Sequence, residues 1–134
     1  MIVLDEQLLG RNIEQEIAKW YRGTVRFIID LRPQTVIKDD AIPGLLRQQK
    51  QPTFLTINEK DFWRKVPIDN QYGVVCFTLP DSRVNEIPQT LRTLLSKQEF
   101  NTKTKRMGKV IRITDKEISY YAFNKRGIKI IRDL

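Results

Sequence analysis

Two carboxylates hold the positions in this chain best suited to chemistry. Asp5 directly follows the apolar run Ile2, Val3, Leu4, and Asp61 lies shortly after the run Phe54, Leu55. In an open parallel sheet the carboxyl ends of neighbouring strands share one edge, so acids that leave two such strands can converge on one cleft. Carboxylates brought together in this way repel one another and attract a hard divalent cation. An acid immediately after a buried strand also needs a partner, whether Lys, Arg, backbone amides or a metal.

What the chain lacks narrows the chemistry further. It has no histidine, which excludes Ser-His-Asp catalysis and zinc sites built on imidazole. Its single cysteine, Cys76, lies inside the apolar run 73–79, where it reads as a small buried hydrophobe and allows no internal disulfide. Any metal chemistry therefore rests on carboxylates.

The elements that must position these acids follow from periodicity. Residues 1–5 predict a buried strand. Across 10–21, Ile13, Ile17 and Trp20 fall at helical spacing opposite Glu14, Glu16 and Lys19, so a helix is expected there, ending near Gly23. Residues 24–30 are β-branched and apolar and predict a second strand, with a loop over 31–35. Asp39 or Asp40 can cap a second helix running to about Lys50, with Pro43 tolerated in its first turn and Leu45 and Leu46 facing inward.

A third strand is expected over 53–57. Asn58 then stands as N-cap of a short apolar turn carrying Phe62, Trp63 and Val66. Asp61, three residues after Asn58, has the alternative use of completing that cap. Residues 73–79 predict a fourth strand, and the helix opening at Asn85 places Ile87, Leu91, Leu94 and Leu95 on one side. This βα alternation predicts an α/β fold with a mostly parallel sheet covered on both faces. The polar stretch 97–108 interrupts it. Beyond lie two strands, 109–114 and 117–123, joined by a tight turn, and a short strand or tail at 128–131.

A length of 134 residues suits one domain, 1–134, divided into a βα core over 1–96 and a basic C-terminal strand region over 97–134. At 40% hydrophobic and 30% charged, the composition is that of a folded chain rather than a disordered one. No apolar run reaches the ~18 residues of a membrane span, and the N-terminus does not read as a secretory signal, so a cytoplasmic protein is expected.

The net charge of +8 is unevenly placed: 13 basic and 12 acidic side chains over 1–96, but 11 and 4 over 97–134. That asymmetry points to a polyanion such as RNA, to an acidic protein partner, or to a merely solubilising surface. Lys103, Lys105, Arg106, Lys109, Arg112, Lys125, Arg126 and Lys129 are the candidate phosphate contacts. Tyr121 and Phe123 would share one strand face and Tyr120 take the other, which allows base stacking or core packing. Trp20 and Trp63 read as packing residues.

The segments Leu4-Asp5-Glu6-Gln7-Leu8, Asp39-Asp40-Ala41-Ile42, Leu55 to Phe62 with Thr56, Asn58, Glu59 and Asp61, and Asn85 to Leu95 occur in an order that resembles small PIN-like proteins. Their pattern runs L-D-E-N-L, an acidic helix start, then T-x-D-x-D-F. The resemblance spans about residues 1–123. It implies a three-layer α/β/α sandwich and a metal-dependent endoribonuclease that uses Mg²⁺ or Mn²⁺, with Asp5, Asp39 and Asp61 as ligands. Glu59 would be a further catalytic acid, and Glu6, Asp40, Thr56 and Asn58 would support the site. Many such proteins are toxin halves of toxin–antitoxin pairs, so an antitoxin protein is an implied partner, and a homodimer is compatible with the size. Two departures from the pattern stand out. Gln7 replaces the usual asparagine, and Glu59 is one methylene longer than the usual aspartate. A catalytically weak or inactive PIN-like module that binds RNA or protein is the competing reading. A phosphate-accepting receiver domain ranks last, because no lysine follows a fifth strand in the expected arrangement.

Overall fold

The structure is a computed structural model, described for residues 1–32, 37–64, 69–122 and 127–131. Seven strands form one sheet: β1 (Ile2–Leu4), β2 (Val25–Phe27), β3 (Thr53–Thr56), β4 (Gly73–Phe77), β5 (Lys109–Ile113), β6 (Ile118–Ala122) and β7 (Lys129–Ile131). Their order is β2-β1-β3-β4-β5-β6-β7. The first five pair in parallel, and β6 and β7 add antiparallel. The α/β class and the mostly parallel sheet expected from the alternation are thus present. The C-terminal strand pair is there too, with its tight turn closed by Thr114 and Glu117, whose backbones bond at 3.0 Å.

Helices lie on both faces. α1 (Ile13–Ala18) and α4 (Ile87–Leu95) place Ile13, Ile17, Ile87, Leu91 and Leu94 against Leu4, Leu55, Val75 and Ile111. On the other face α2 (Ile42–Arg47) and α3 (Glu59–Phe62) place Ile42, Leu45, Leu46 and Phe62 against Val3, Phe54, Val74 and Val110. Successive residues of a strand point to opposite faces, so the continuous apolar runs of β1, β3 and β4 supply both cores at once. Cys76 is fully buried in the second core, as expected of a structural thiol.

Several elements are shorter than their periodicity predicts. α1 starts at Ile13 rather than Gly10, because Gly10 (φ 74°) and Asn12 (φ 61°) both take left-handed backbone and prevent an earlier first turn. β2 ends at Phe27, not at residue 30. The Asp30 carboxylate accepts the Phe27 N–H at 3.2 Å and turns Ile28–Leu31 into a 3₁₀ turn. The loop expected over 31–35 falls largely on 33–36, outside the described residues, as do Val66 and Phe123.

The stretch 97–108, predicted only as a break, contains a four-residue helix, α5 (Lys103–Arg106), capped by the Thr102 hydroxyl accepting the Lys105 N–H at 3.1 Å. Its last residue lies so close to the start of β4 that a Cβ on Gly73 would come within 2.5 Å of the Arg106 carbonyl oxygen, so only glycine fits there. Among the described residues, no helix is long and apolar enough to cross a membrane.

Candidate functional site

The strand order decides where a site can form. From β1 the chain moves to β2 on one side, then crosses to β3 on the other, so the connections diverge between β1 and β3. A crevice opens at the carboxyl ends of strands at such a point. Leu4 pairs with Leu55, and the Asp5 N–H donates to the Leu55 carbonyl at 2.9 Å, which places Asp5 beside Thr56 at that crevice.

Asp5 is buried, with 4% of its surface exposed. The Thr56 hydroxyl donates to Asp5 Oδ2 at 2.7 Å and accepts the Asn58 N–H at 3.0 Å, so one threonine fixes both the carboxylate and the chain leaving β3. Burial holds the Asp5 carboxyl above the ordinary aspartate range. The Thr56 hydroxyl and the backbone N–H groups of Glu6 and Gln7 pull it down, and the charge of Glu6 pushes it up.

Asn58 joins the second and third acids. Its Oδ1 caps α3 by accepting the Asp61 N–H at 3.3 Å, and its Nδ2 donates to Asp61 Oδ2 at 2.7 Å and to Asp39 Oδ2 at 3.4 Å. The N-cap expected at Asn58 is therefore real, and Asp61 takes part in the same arrangement. Asp39 and Asp40 are not helix caps. They open a 3₁₀ turn, Asp39–Ala41, whose cap position is Lys38, and neither that turn nor α2 has a side-chain cap bond. The Asp39 carboxyl is held above the ordinary range, first by partial desolvation, then by its contact with the Asp61 carboxyl and the charges of Asp5, Asp61 and Glu6. Asp39 thus feels both Asp5 and Asp61 across the crevice, although 56 positions separate those two in the sequence.

Glu59 is held by a basic partner that the sequence did not suggest. Arg112 Nη1 pairs with its Oε1 at 3.0 Å, and the guanidinium lies 4.9 Å from the Trp63 ring centroid. Residues paired across the strands share a face, and Thr56, Cys76 and Arg112 are successive partners, so Arg112 stands on the same side of the sheet as α3. A carboxylate neutralised by an arginine is a poor metal ligand as it stands. The sequence missed this pair because β5 lies far along the chain and its neighbour in the sheet is not legible from spacing.

The donors suit a hard cation, being carboxylate oxygens with a hydroxyl and an amide beside them. Among the described residues neither Asp5 nor Asp39 has a basic partner within ion-pair distance. Their mutual repulsion would be relieved by positive charge. Among the described residues, however, no three acidic or thiol side chains already close around a metal position. The Asn58 amide stands between Asp39 and Asp61, and Asp5 is one strand away.

Most of the expected phosphate contacts lie elsewhere. α5 precedes β5, so Lys103, Lys105 and Lys109 sit at the amino edge of the sheet, opposite the carboxylates. Arg106 is buried, its Nε donating to Thr53 Oγ1 and its Nη1 to the Phe100 carbonyl, both at 2.9 Å. It is a structural cation, not a surface one. Lys109 Nζ bonds the Glu99 carbonyl at 2.9 Å and lies 5.2 Å from the ring centroids of Phe100 and Tyr120. Arg112 is committed to Glu59 and Trp63, and Lys129 is exposed on the outermost strand. Lys125 and Arg126 fall outside the described residues. Tyr120 and Tyr121 take opposite faces, as expected, and both are buried against Phe100 and Trp63 respectively, which makes them core rather than a stacking platform.

Compared with protein-family models, curated proteins and solved structures, the chain matched none.

Proposed function

We propose that this chain is a metal-dependent endoribonuclease of PIN-like type, an α/β/α sandwich acting as the toxin component of a toxin–antitoxin pair. The observation that carries the reading is the placement of Asp5, beside Thr56, and of Asp39 and Asp61, bridged by Asn58, around the crevice between β1 and β3. Partial desolvation first, and then Asp61, Asp5 and Glu6, hold the Asp39 carboxyl above its ordinary range. Asp5, Asp39 and Asp61 would hold Mg²⁺ or Mn²⁺, with water completing the shell. When bound, such an ion supplies an activated water and offsets the charge that develops on a phosphodiester.

The chain's own residues do the positioning. Thr56 aims the Asp5 carboxylate, and its backbone partner Asn58 sets the start of α3 and with it Asp61. Asn58, donating to Oδ2 of both Asp39 and Asp61, keeps the two carboxylates near one another. Glu59, held by Arg112, serves as a positioned acid beside the crevice rather than as a primary ligand. Comparing Mn²⁺-dependent cleavage of RNA by the wild type and by Asp5→Asn tests the proposal. Cleavage should vanish in the variant while circular dichroism stays unchanged, and activity retained in a nuclease-free preparation rejects the assignment.

The Glu59–Arg112 pair, with the absence among described residues of a closed set of three ligands, favours a second reading: a catalytically weak or inactive module that binds RNA or protein. It predicts salt-sensitive RNA binding that neither metal nor Asp5→Asn alters, and no product on extended incubation.

A further inference from the structure

The displacement of the C-terminal lysines to the amino edge leaves the question of where a nucleic acid would lie. A groove of about 1070 Å³ lies between α1 and α4, on the face opposite α2 and α3. Both helices run from the carboxyl edge of the sheet toward its amino edge, since each follows one strand and leads to the start of another. The groove therefore begins at the edge that carries the acids. Its volume slightly exceeds the ~300–1,000 Å³ of small-molecule pockets, which suits an extended ligand rather than a compact one.

Its lining is basic. Arg11 and Lys19 are each occupied, by Asp81 at 2.7 Å and by Glu16 at 2.9 Å. Arg22 and Arg92 are exposed and, among the described residues, form no ion pair. Trp20, half-buried with part of its ring against the core, lines the same groove. The amides of Asn85 and Gln89, both exposed, line the α4 side together with Arg92, across from Trp20 and Arg22 on the α1 side. Unpaired guanidinium groups meet phosphates, an indole stacks on a base, and amides match the donor and acceptor edges of bases. An acidic peptide would use the cations but not this pairing of an indole with amides.

We propose that the α1–α4 groove binds single-stranded RNA, with Arg22 and Arg92 on phosphates and Trp20 against a base. The choice of RNA over DNA rests on the nuclease reading, but the binding surface shares no residue with the carboxylate crevice. The test is fluorescence anisotropy with a short labelled oligouridine in EDTA, so that binding is read without cleavage. Arg22→Gln/Arg92→Gln should weaken binding at least ~10-fold. It should also flatten the dependence of log K on log salt by about 1.4, since each phosphate contact to a single strand contributes about 0.7.

In a Trp63→Phe background, which leaves Trp20 as the sole indole, the RNA should quench the remaining emission to saturation. Unchanged affinity in the double variant, an unresponsive Trp20, or a polyglutamate peptide that binds more tightly than the RNA overturns the proposal. The two readings fail separately. RNA bound in the groove but never cleaved with Mn²⁺ removes the nuclease and leaves the groove. Cleavage with undiminished affinity in Arg22→Gln/Arg92→Gln removes the groove and leaves the nuclease.

Discussion

The Thr56 hydroxyl donates to the buried carboxylate of Asp5 at 2.7 Å, across two strands that are neighbours in the sheet and 51 positions apart in the chain. Among the described residues Thr56 is the only side chain that donates to Asp5, and the stability and ionisation of the crevice both depend on that bond. Thr56→Val keeps the shape of the side chain but leaves the buried carboxylate short of a donor. Unfolding in urea should show a loss of about 1–3 kcal/mol. The carboxyl of Asp5, followed by carbon-detected NMR, should titrate at still higher pH, because Thr56 acts to lower it.

Asp5 itself should be held at a cost in stability. Its carboxyl titrates above the usual 3.8 because burial penalises the charge. In the unfolded chain it ionises at the ordinary value, so its contribution to stability is present in full below about 3.8. It is lost as pH rises toward the raised folded value. In metal-free buffer, Asp5→Asn should therefore unfold at higher temperature than wild type at pH 7, and this advantage should disappear in acid. Cleavage should drop at least ~100-fold, since even partners one step removed from a metal ligand are worth about 10–100-fold. Mn²⁺ should raise the melting temperature of wild type and not of the variant.

Glu59→Gln should reduce cleavage far less than Asp5→Asn, because Arg112 already neutralises that acid at 3.0 Å. Arg112→Leu removes both the ion pair and the stacking on Trp63. The pair is partly exposed, so the cost should be only about 0.5–1.5 kcal/mol in chemical denaturation, with a changed Trp63 emission as the local readout.

Arg106→Ala should cost about 2–4 kcal/mol and leave RNA affinity unchanged. The guanidinium donates to Thr53 and to the Phe100 carbonyl in the interior, where its stem also packs, and truncation strands both acceptors. Arg106→Met, which retains the stem, should cost less. A large fall in RNA affinity for a folded Arg106 variant would restore it to the surface patch.

Cys76 should resist a thiol reagent such as DTNB in the native protein at pH 8 and react only on unfolding. Burial, with a lesser contribution from Glu59, pushes its thiol up to about 12, and no part of the residue is exposed.

The sequence by itself determined the α/β class, the approximate place of every strand, the burial of Cys76 and the nomination of Asp5, Asp39 and Asp61. These follow from local patterns: apolar runs of strand length, helical spacing of Ile13 and Ile17 or Leu91 and Leu94, and acids placed where strands end. The tertiary structure decided what local patterns cannot carry. Left-handed backbone at Gly10 and Asn12 shortened α1. The order of the strands, with β1 between β2 and β3, set Asp5 beside Thr56, and Asn58 bridged Asp39 and Asp61. The same order brought Arg112 to Glu59, turned Arg106 inward and sent the lysines of 103–109 to the far edge. Charge counted along a chain says how much is present. Which way each side chain faces is fixed by strand register and by the elements packed over it, and those are contacts between residues far apart in sequence.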